Sequence, residues 1–96
     1  MVAFKFKNRR DGNEKPIVDG LRRRGVKVIR MDEPFDLLVG YDQRLHGLEV
    51  KNPATGGKLT KQQVDFHLAW GEFGVHAVET LDEALEAIGW TPTRGK

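Results

Sequence analysis

The chain has 96 residues, of which 39% are hydrophobic and 31% charged, with a formal net charge of +2 and no cysteine. This length predicts a single domain, 1–96, with a core at about residues 9–89 and a tail at 90–96. The composition is that of a globular chain, and the absence of cysteine excludes disulfide scaffolds and thiolate zinc sites. No apolar run approaches the roughly 20 residues of a membrane helix or predicts a secretory signal. We therefore expect an intracellular, cytoplasmic protein that does not bind membranes.

The first half of the chain is predicted to form a helix followed by a meander of three strands. Asn13 is a candidate N-cap for the helix, Pro16 fits its first turn, and Gly25 ends it. Alternating and apolar residues then predict strands at 26–30, 35–41 and 45–51. Asp42 and Gln43 form the tight turn between the last two strands.

The second half is predicted to add two helices with one strand between them. Thr60 caps a helix that ends at about Gly71 or Phe73, and a strand follows at 75–79. Residues 80–83 form a capping box for a final helix that ends at Gly89. The fold class is therefore α/β (α+β), with a central mixed four-stranded sheet flanked by helices.

Two acidic residues are predicted to face each other on the central strands. A two-residue turn at 42–43 pairs Tyr41 with Arg44 and, counting back, Asp36 with Glu49. Opposed side chains on antiparallel strands have Cβ atoms about 4.5–5.5 Å apart, so the carboxylates would repel each other unless a cation lies between them. Oxygen ligands in a chain without cysteine favour Mg²⁺ or Mn²⁺.

Lys51 is predicted to project on the same face as Glu49, because side chains two residues apart on a strand share a face. A hard cation lowers the pKa of a bound water and stabilises charge on a phosphoryl oxygen, and a neighbouring lysine can orient that water. These parts suit phosphodiester hydrolysis. A Glu-x-Lys pair on a surface strand is a common alternative without chemistry, and the opposed Asp36 favours the metal site over it.

Basic residues are concentrated near the start of the chain and at the end of the first predicted helix. Arg9 and Arg10 come before that helix, and Arg22, Arg23 and Arg24 lie in its last turn. A cluster of basic side chains is typical of a surface that binds a polyanion. A solvated helix end is the alternative, because cations in the last turn interact favourably with the helix dipole.

An ordered series of motifs resembles the PD-(D/E)XK nucleases. The Pro-Phe-Asp motif at 34–36 and the Leu-Glu-Val-Lys motif at 48–51 are similar to the family signature. Residues 14–21 with Gly25 resemble the first helix of archaeal Holliday-junction resolvases. Residues 57–63 and the Thr-Leu-Asp-Glu-Ala-Leu ending are similar to the VRR-NUC (virus-type replication-repair nuclease) branch, whose small stand-alone members occur in phages. The resemblance covers about residues 9–89 and implies a restriction-endonuclease-like αβββαβ core, as in a small phage or bacterial member.

The resemblance also implies roles for individual residues. Asp36 and Glu49 would be metal ligands together with the backbone carbonyl of Val50, and Lys51 would be the catalytic lysine. Glu14 would be an additional catalytic acid that acts through the metal or a water.

Further residues are expected to hold the substrate. Gln63 matches the glutamine of the family's second helix, which would hold the lysine, a water or a phosphate. Phosphate contacts, which give affinity without sequence choice, are expected from six basic residues: Arg9, Arg10, Arg22, Arg23, Lys58 and Lys61.

The expected function is that of a Mg²⁺- or Mn²⁺-dependent DNA endonuclease acting on duplex or branched DNA in phage or host replication, repair or recombination. No small-molecule organic cofactor is expected. A domain of this size cannot grip a duplex from both sides, so we expect a homodimer, with Phe66, Trp70 and Phe73 in the core or on the dimer surface rather than stacked on bases. One alternative is a catalytically silent nucleic-acid-binding module on a nuclease fold, and a third interpretation is a structural interaction protein.

Overall fold

The computed structural model describes residues 12–31, 33–55 and 59–92. Its helices are α1 (Glu14–Arg23), α2 (Lys61–Trp70) and α3 (Leu81–Ile88). Its strands are β1 (Lys27–Arg30), β2 (Leu37–Tyr41), β3 (Arg44–Val50) and β4 (Val75–Val78). Short 3₁₀ turns at Pro53–Thr55 and Gly71–Phe73 precede and follow α2. The element order agrees with the sequence prediction. None of the described helices is long and apolar enough to cross a membrane.

The strands form one mixed sheet in the order β1-β2-β3-β4. The first three strands are antiparallel, and β4 is parallel to β3, which confirms the predicted sheet. The hairpin register is also as predicted, because Tyr41 pairs with Arg44 across the turn. Asp42 and Gln43 have φ values of 54° and 65°. Two central residues with positive φ are characteristic of the two-residue type I′ turn, whose twist matches that of the flanking strands.

The hydrophobic core lies between one face of the sheet and helices α1 and α3. Leu37 and Leu48 on the central strands are fully buried on this face, opposite Ile17 and Leu21 of α1. Gly20 of α1 lies against the Leu81 side chain of α3, and a Cβ at position 20 would collide with it. The two helices therefore pack closely at this point because residue 20 has no side chain.

Two predicted helix caps differ from the structure. Asn13 precedes α1 but makes no side-chain cap hydrogen bond. Instead, its Nδ2 donates to the carbonyls of Lys51 and Glu79 at 2.8 and 3.0 Å. At α3, Thr80 Oγ1 accepts from the Glu83 N–H at 3.1 Å, as predicted. The Glu83 carboxylate accepts from the Glu79 N–H rather than from the N–H of Thr80, so the capping box is half formed. In both places the polar side chain satisfies a strand-end backbone group.

Candidate active site

Asp36 and Glu49 lie next to each other at the ends of β2 and β3. Asp36 directly precedes β2, and its N–H donates to the Leu48 carbonyl at 3.1 Å. The regular pairing of the two strands ends at Leu37 and Leu48, and this bond brings Asp36 to the same Leu48, the residue directly before Glu49. Both residues are buried, with 2% of Asp36 and 4% of Glu49 exposed. Two buried carboxylates that lie close together repel each other, and a cation between them would offset that repulsion.

A backbone hydrogen bond positions the Asp36 carboxylate. The Val50 N–H donates to Asp36 Oδ2 at 2.7 Å. Because Val50 directly follows Glu49, this bond ties the backbone that carries one carboxylate to the other carboxylate. An ionised carboxylate has about four acceptor positions, so one N–H bond is compatible with coordination of a cation.

Gln63 at the start of α2 contacts both Glu49 and Lys51. Its Nε2 donates to Glu49 Oε2 at 2.7 Å, and its Oε1 accepts from Lys51 Nζ at the long distance of 3.5 Å. The same Oε1 accepts from the Thr60 N–H, and Thr60 Oγ1 accepts from the Gln63 N–H, which completes a capping box. The cap that begins α2 therefore also fixes the amide that orients Glu49 and Lys51.

Glu14 lies at the same end of the sheet but pairs with a different side chain. It is 1% exposed, and its Oε2 accepts from Arg30 Nε at 3.0 Å. Arg30 pairs with Leu37 and so belongs to the sheet face that carries the core, whereas Glu49, which follows the core residue Leu48, belongs to the face that carries α2. Hydrogen bonds thus join Glu49, Gln63 and Lys51, a further one joins Asp36 to the backbone of Val50, and Glu14 pairs with Arg30.

The donor set at this end of the sheet consists of oxygen atoms. Among the described residues, no three His, Asp or Glu side chains form a group that could hold a metal ion on their own. Asp36 and Glu49 would therefore hold a cation together with backbone carbonyls or waters. Mg²⁺ commonly binds in this way, through one or two carboxylates and several waters, so the donor set fits a hard cation.

A cleft beside the carboxylate pair gives access to it from the α2 side. It has a volume of about 360 Å³ and is lined by residues before β2, at the end of β3 and at the start of α2: Glu33, Pro34, Glu49, Thr60, Gln62, Gln63 and Phe66. The Glu49 side chain contributes to its wall although the residue is almost fully buried. A substrate group can therefore approach Glu49 and Gln63 along this cleft.

The basic residues predicted to bind phosphates lie at different distances from the carboxylate pair. Lys61 is two residues from Gln63 and forms an exposed ion pair with Asp65 at 3.1 Å. Arg22 and Arg23 lie at the opposite end of α1 from Glu14, about 12 Å along the helix. Arg22 also donates to the Val28 carbonyl at 3.0 Å. Three further predicted contacts lie outside the described residues: Arg9, Arg10 and Lys58.

Two histidines lie closer together than their separation in the sequence indicates. The rings of His46 and His76 have centroids 6.1 Å apart. Burial, and secondarily the charges of His76 and Arg44, lowers the pKa of His46. Burial, and then the charges of His76 and Lys51, lowers the pKa of His67. Both shifts favour neutral imidazoles near pH 7.

The sequence did not predict the contacts that two residues make at this end of the sheet. Asn13 joins the start of α1 to the ends of β3 and β4, and Arg30 neutralises Glu14. Each partner is more than ten residues away in the chain, and Asn13 also has the ordinary sequence signal of an N-cap. These contacts arise from tertiary packing, for which the local pattern carried no signal.

No known family model matches the chain, and neither a curated protein nor a solved structure matches it significantly.

Proposed function

We propose that this protein is a divalent-metal-dependent endonuclease that hydrolyses phosphodiester bonds in DNA. The observation that carries the proposal is the buried pair Asp36 and Glu49, with Lys51 held beside it through Gln63. The ordered motifs that resemble the VRR-NUC branch of the PD-(D/E)XK nucleases support it. A nuclease of this kind would act inside a cell, where it meets DNA.

Different residues of the chain would have different roles in such a site. Asp36, Glu49 and the Val50 carbonyl would hold Mg²⁺ or Mn²⁺, and a bound cation supplies an acidified water and neutralises phosphate charge. Lys51 would orient the attacking water and stabilise the charge that develops on the phosphate. Gln63 keeps Glu49 and Lys51 in position, and the exposed Lys61 at the start of α2 would contact a phosphate backbone.

The fold favours a substrate bound across the end of the sheet. Glu49 and Gln63 line the cleft at that end, so a phosphodiester in the cleft would lie beside a cation held by Glu49. Duplex and branched DNA are both proposed substrates, and two sites in a homodimer would suit paired cuts. A silent nucleic-acid-binding module would instead bind DNA without any metal-dependent cutting.

Cleavage by the wild-type protein tests this function. Supercoiled plasmid and a labelled four-way junction are incubated with the full chain in Mg²⁺, Mn²⁺ or EDTA. We expect nicking or junction cutting in both metals and none in EDTA. DNA that is bound but stays intact in both metals would contradict the enzyme and favour the silent module.

Gln63→Ala is expected to lower the rate of metal-dependent cleavage about 10–100-fold, the usual cost of losing a group that orients a metal ligand. The substitution removes the hydrogen bond to Glu49 and the amide half of the α2 capping box. Single-turnover cleavage rates measure the effect. Glu86→Ala is the control, because its side chain is exposed on α3 and does not line the cleft. Equal rates for Gln63→Ala and the wild type would refute the positioning role.

A further inference from the structure

His46 on β3 and His76 on β4 form a pair of imidazoles on the opposite sheet face from Glu49. Their ring centroids are 6.1 Å apart, with the ring planes inclined at 38°. His76 pairs with the core residue Leu48, and His46 is two residues before Leu48, so both imidazoles project from the sheet face that carries the core. We refer to His46 and His76 as the histidine pair.

The imidazole of His46 has two buried nitrogen atoms that lack a hydrogen-bond partner among the described residues. Both Nδ1 and Nε2 are shielded from solvent by the fold. A neutral imidazole has one N–H donor and one acceptor nitrogen, and a buried polar group that is left unpaired is destabilising. A ligand on the acceptor nitrogen would remove part of this cost.

Gly74, in the turn before β4, leaves space beside Nδ1 of His46. A Cβ at position 74 would lie 4.0 Å from this nitrogen. The turn also needs glycine for its backbone, because residue 74 has a φ of 97°. No side chain of residue 74 therefore separates the turn from the imidazole.

The separation of the two rings suits a shared transition-metal ion. A metal–nitrogen bond of about 2.0–2.1 Å places a ring centroid roughly 3 Å from the ion, so two rings on one ion have centroids about 5–6 Å apart. The observed 6.1 Å differs from this by a small side-chain rotation. Burial, and then the charges of His76 and Arg44, lowers the pKa of His46, so its acceptor lone pair is available near pH 7.

A cleft with excess negative charge leads to His46 from the α3 side. It has a volume of about 340 Å³, and its lining includes Asp42, Arg44, His46 and Glu86 together with residues 87–89 at the end of α3. Two carboxylates against one guanidinium favour the entry of a cation over that of an anion. Neither imidazole forms an ion pair with a carboxylate of the described residues, so protonation is not favoured over metal binding in this way.

We propose that the histidine pair binds a borderline transition-metal ion, with Zn²⁺ as the favoured ion. Imidazole suits Zn²⁺, Cu²⁺ and Ni²⁺, whereas Mg²⁺ prefers oxygen ligands, so this site differs in ion class from the one at Asp36 and Glu49. Among the described residues no third His, Asp or Glu completes the group, so waters would fill the other coordination positions. The ion would join β3 to β4, the strand at the edge of the sheet, and stabilise the folded chain by mass action.

Isothermal titration of the full chain with Zn²⁺, in excess Mg²⁺ and without DNA, tests the site independently of the proposed nuclease function. We expect one Zn²⁺ per chain, with an affinity that Mg²⁺ does not change. His76→Gln should weaken Zn²⁺ binding at least about 10-fold, since loss of a ligand costs no less than loss of a group that orients one. Position 76 is partly exposed on an edge strand, so the variant should keep its fold, which circular dichroism checks.

His67→Gln is the matched control, because it makes the same change at the third histidine, which lies on α2. This variant should bind Zn²⁺ like the wild type, and so should Asp36→Asn, which alters the carboxylate pair. A wild type that does not bind Zn²⁺ would overturn the proposal, and so would binding that His76→Gln leaves unchanged. Loss of Zn²⁺ binding in Asp36→Asn would place the ion at the carboxylates and overturn it as well.

Nuclear magnetic resonance of the imidazole nitrogens gives a local measurement on the wild type. The chain has three histidines, so few ring signals have to be resolved. Saturating Zn²⁺ should shift the ring nitrogen signals of His46 and His76 and leave those of His67 in place. Signals that all stay unchanged, or that shift for His67 as much as for the pair, would overturn the proposal.

Discussion

Lys51→Ala is expected to reduce metal-dependent DNA cleavage by at least about 10²–10³-fold, the usual cost of removing one group that stabilises transition-state charge. Lys51 follows the buried Glu49 by two residues, and its Nζ lies 3.5 Å from Gln63 Oε1. Alanine removes the cation and leaves both carboxylates in place. Single-turnover cleavage of a labelled junction in saturating Mg²⁺ measures the loss.

The same variant should keep its affinity for Mn²⁺, because Lys51 is not among the proposed ligands. This combination separates a lysine that acts on the reacting phosphate from one that merely supports the fold. Lys61→Ala is the control for general phosphate binding, since Lys61 is exposed and paired with Asp65. It should weaken DNA binding, most strongly at low salt, and leave the single-turnover rate at saturating protein close to that of the wild type. Full cleavage activity in Lys51→Ala would contradict the site assignment.

Leu48→Ala is expected to lower the free energy of unfolding by about 2–5 kcal/mol, the range for deleting a fully buried leucine side chain. Leu48 is 0% exposed on β3, where it pairs with the equally buried Leu37 and faces the core under α1 and α3. The total stability of a domain this small is about 5–15 kcal/mol, so the variant should lose a large share of it. Urea unfolding followed by circular dichroism measures the change.

Leu68→Ala is the control for Leu48→Ala, because it removes the same atoms from a side chain that is 81% exposed. Its unfolding free energy should remain within about 0.5 kcal/mol of the wild type. Both variants are compared with the wild type at the same protein concentration. Equal destabilisation by the two substitutions would contradict the assignment of the core to the α1–α3 face.

The parts of the fold that follow from local rules could be predicted from the sequence. The two-residue turn at Asp42 and Gln43 determines which residues face each other across the β2–β3 hairpin, because the side-chain period of a strand is two. Counting from that turn was sufficient to place Asp36 and Glu49 at the same end of the hairpin. The Thr60–Gln63 cap is similarly local, since both of its hydrogen bonds join residues three positions apart.

The parts that depend on distant packing could not be predicted. Asn13 has the residue type of an N-cap, yet its amide binds strand-end carbonyls 38 and 66 residues away. The apolar residues of α2 predict a helix with a buried side, but α2 has no buried residue in the single chain. Helical periodicity indicates that a face will be covered, and it does not specify whether the same chain covers it.

Binding of Mn²⁺, measured by the electron paramagnetic resonance of the free ion, tests the central claim most directly. We expect the wild type to bind Mn²⁺ with Mg²⁺ as a competitor, and Asp36→Asn to weaken that binding at least about 10-fold. Asparagine can still accept the hydrogen bond from Val50 N–H, so the fold should persist. Asp19→Asn, at an exposed carboxylate paired with Lys15, is the matched control and should bind like the wild type. Equal Mn²⁺ affinity in Asp36→Asn and the wild type, or no binding by the wild type, would contradict a metal centre at Asp36 and Glu49.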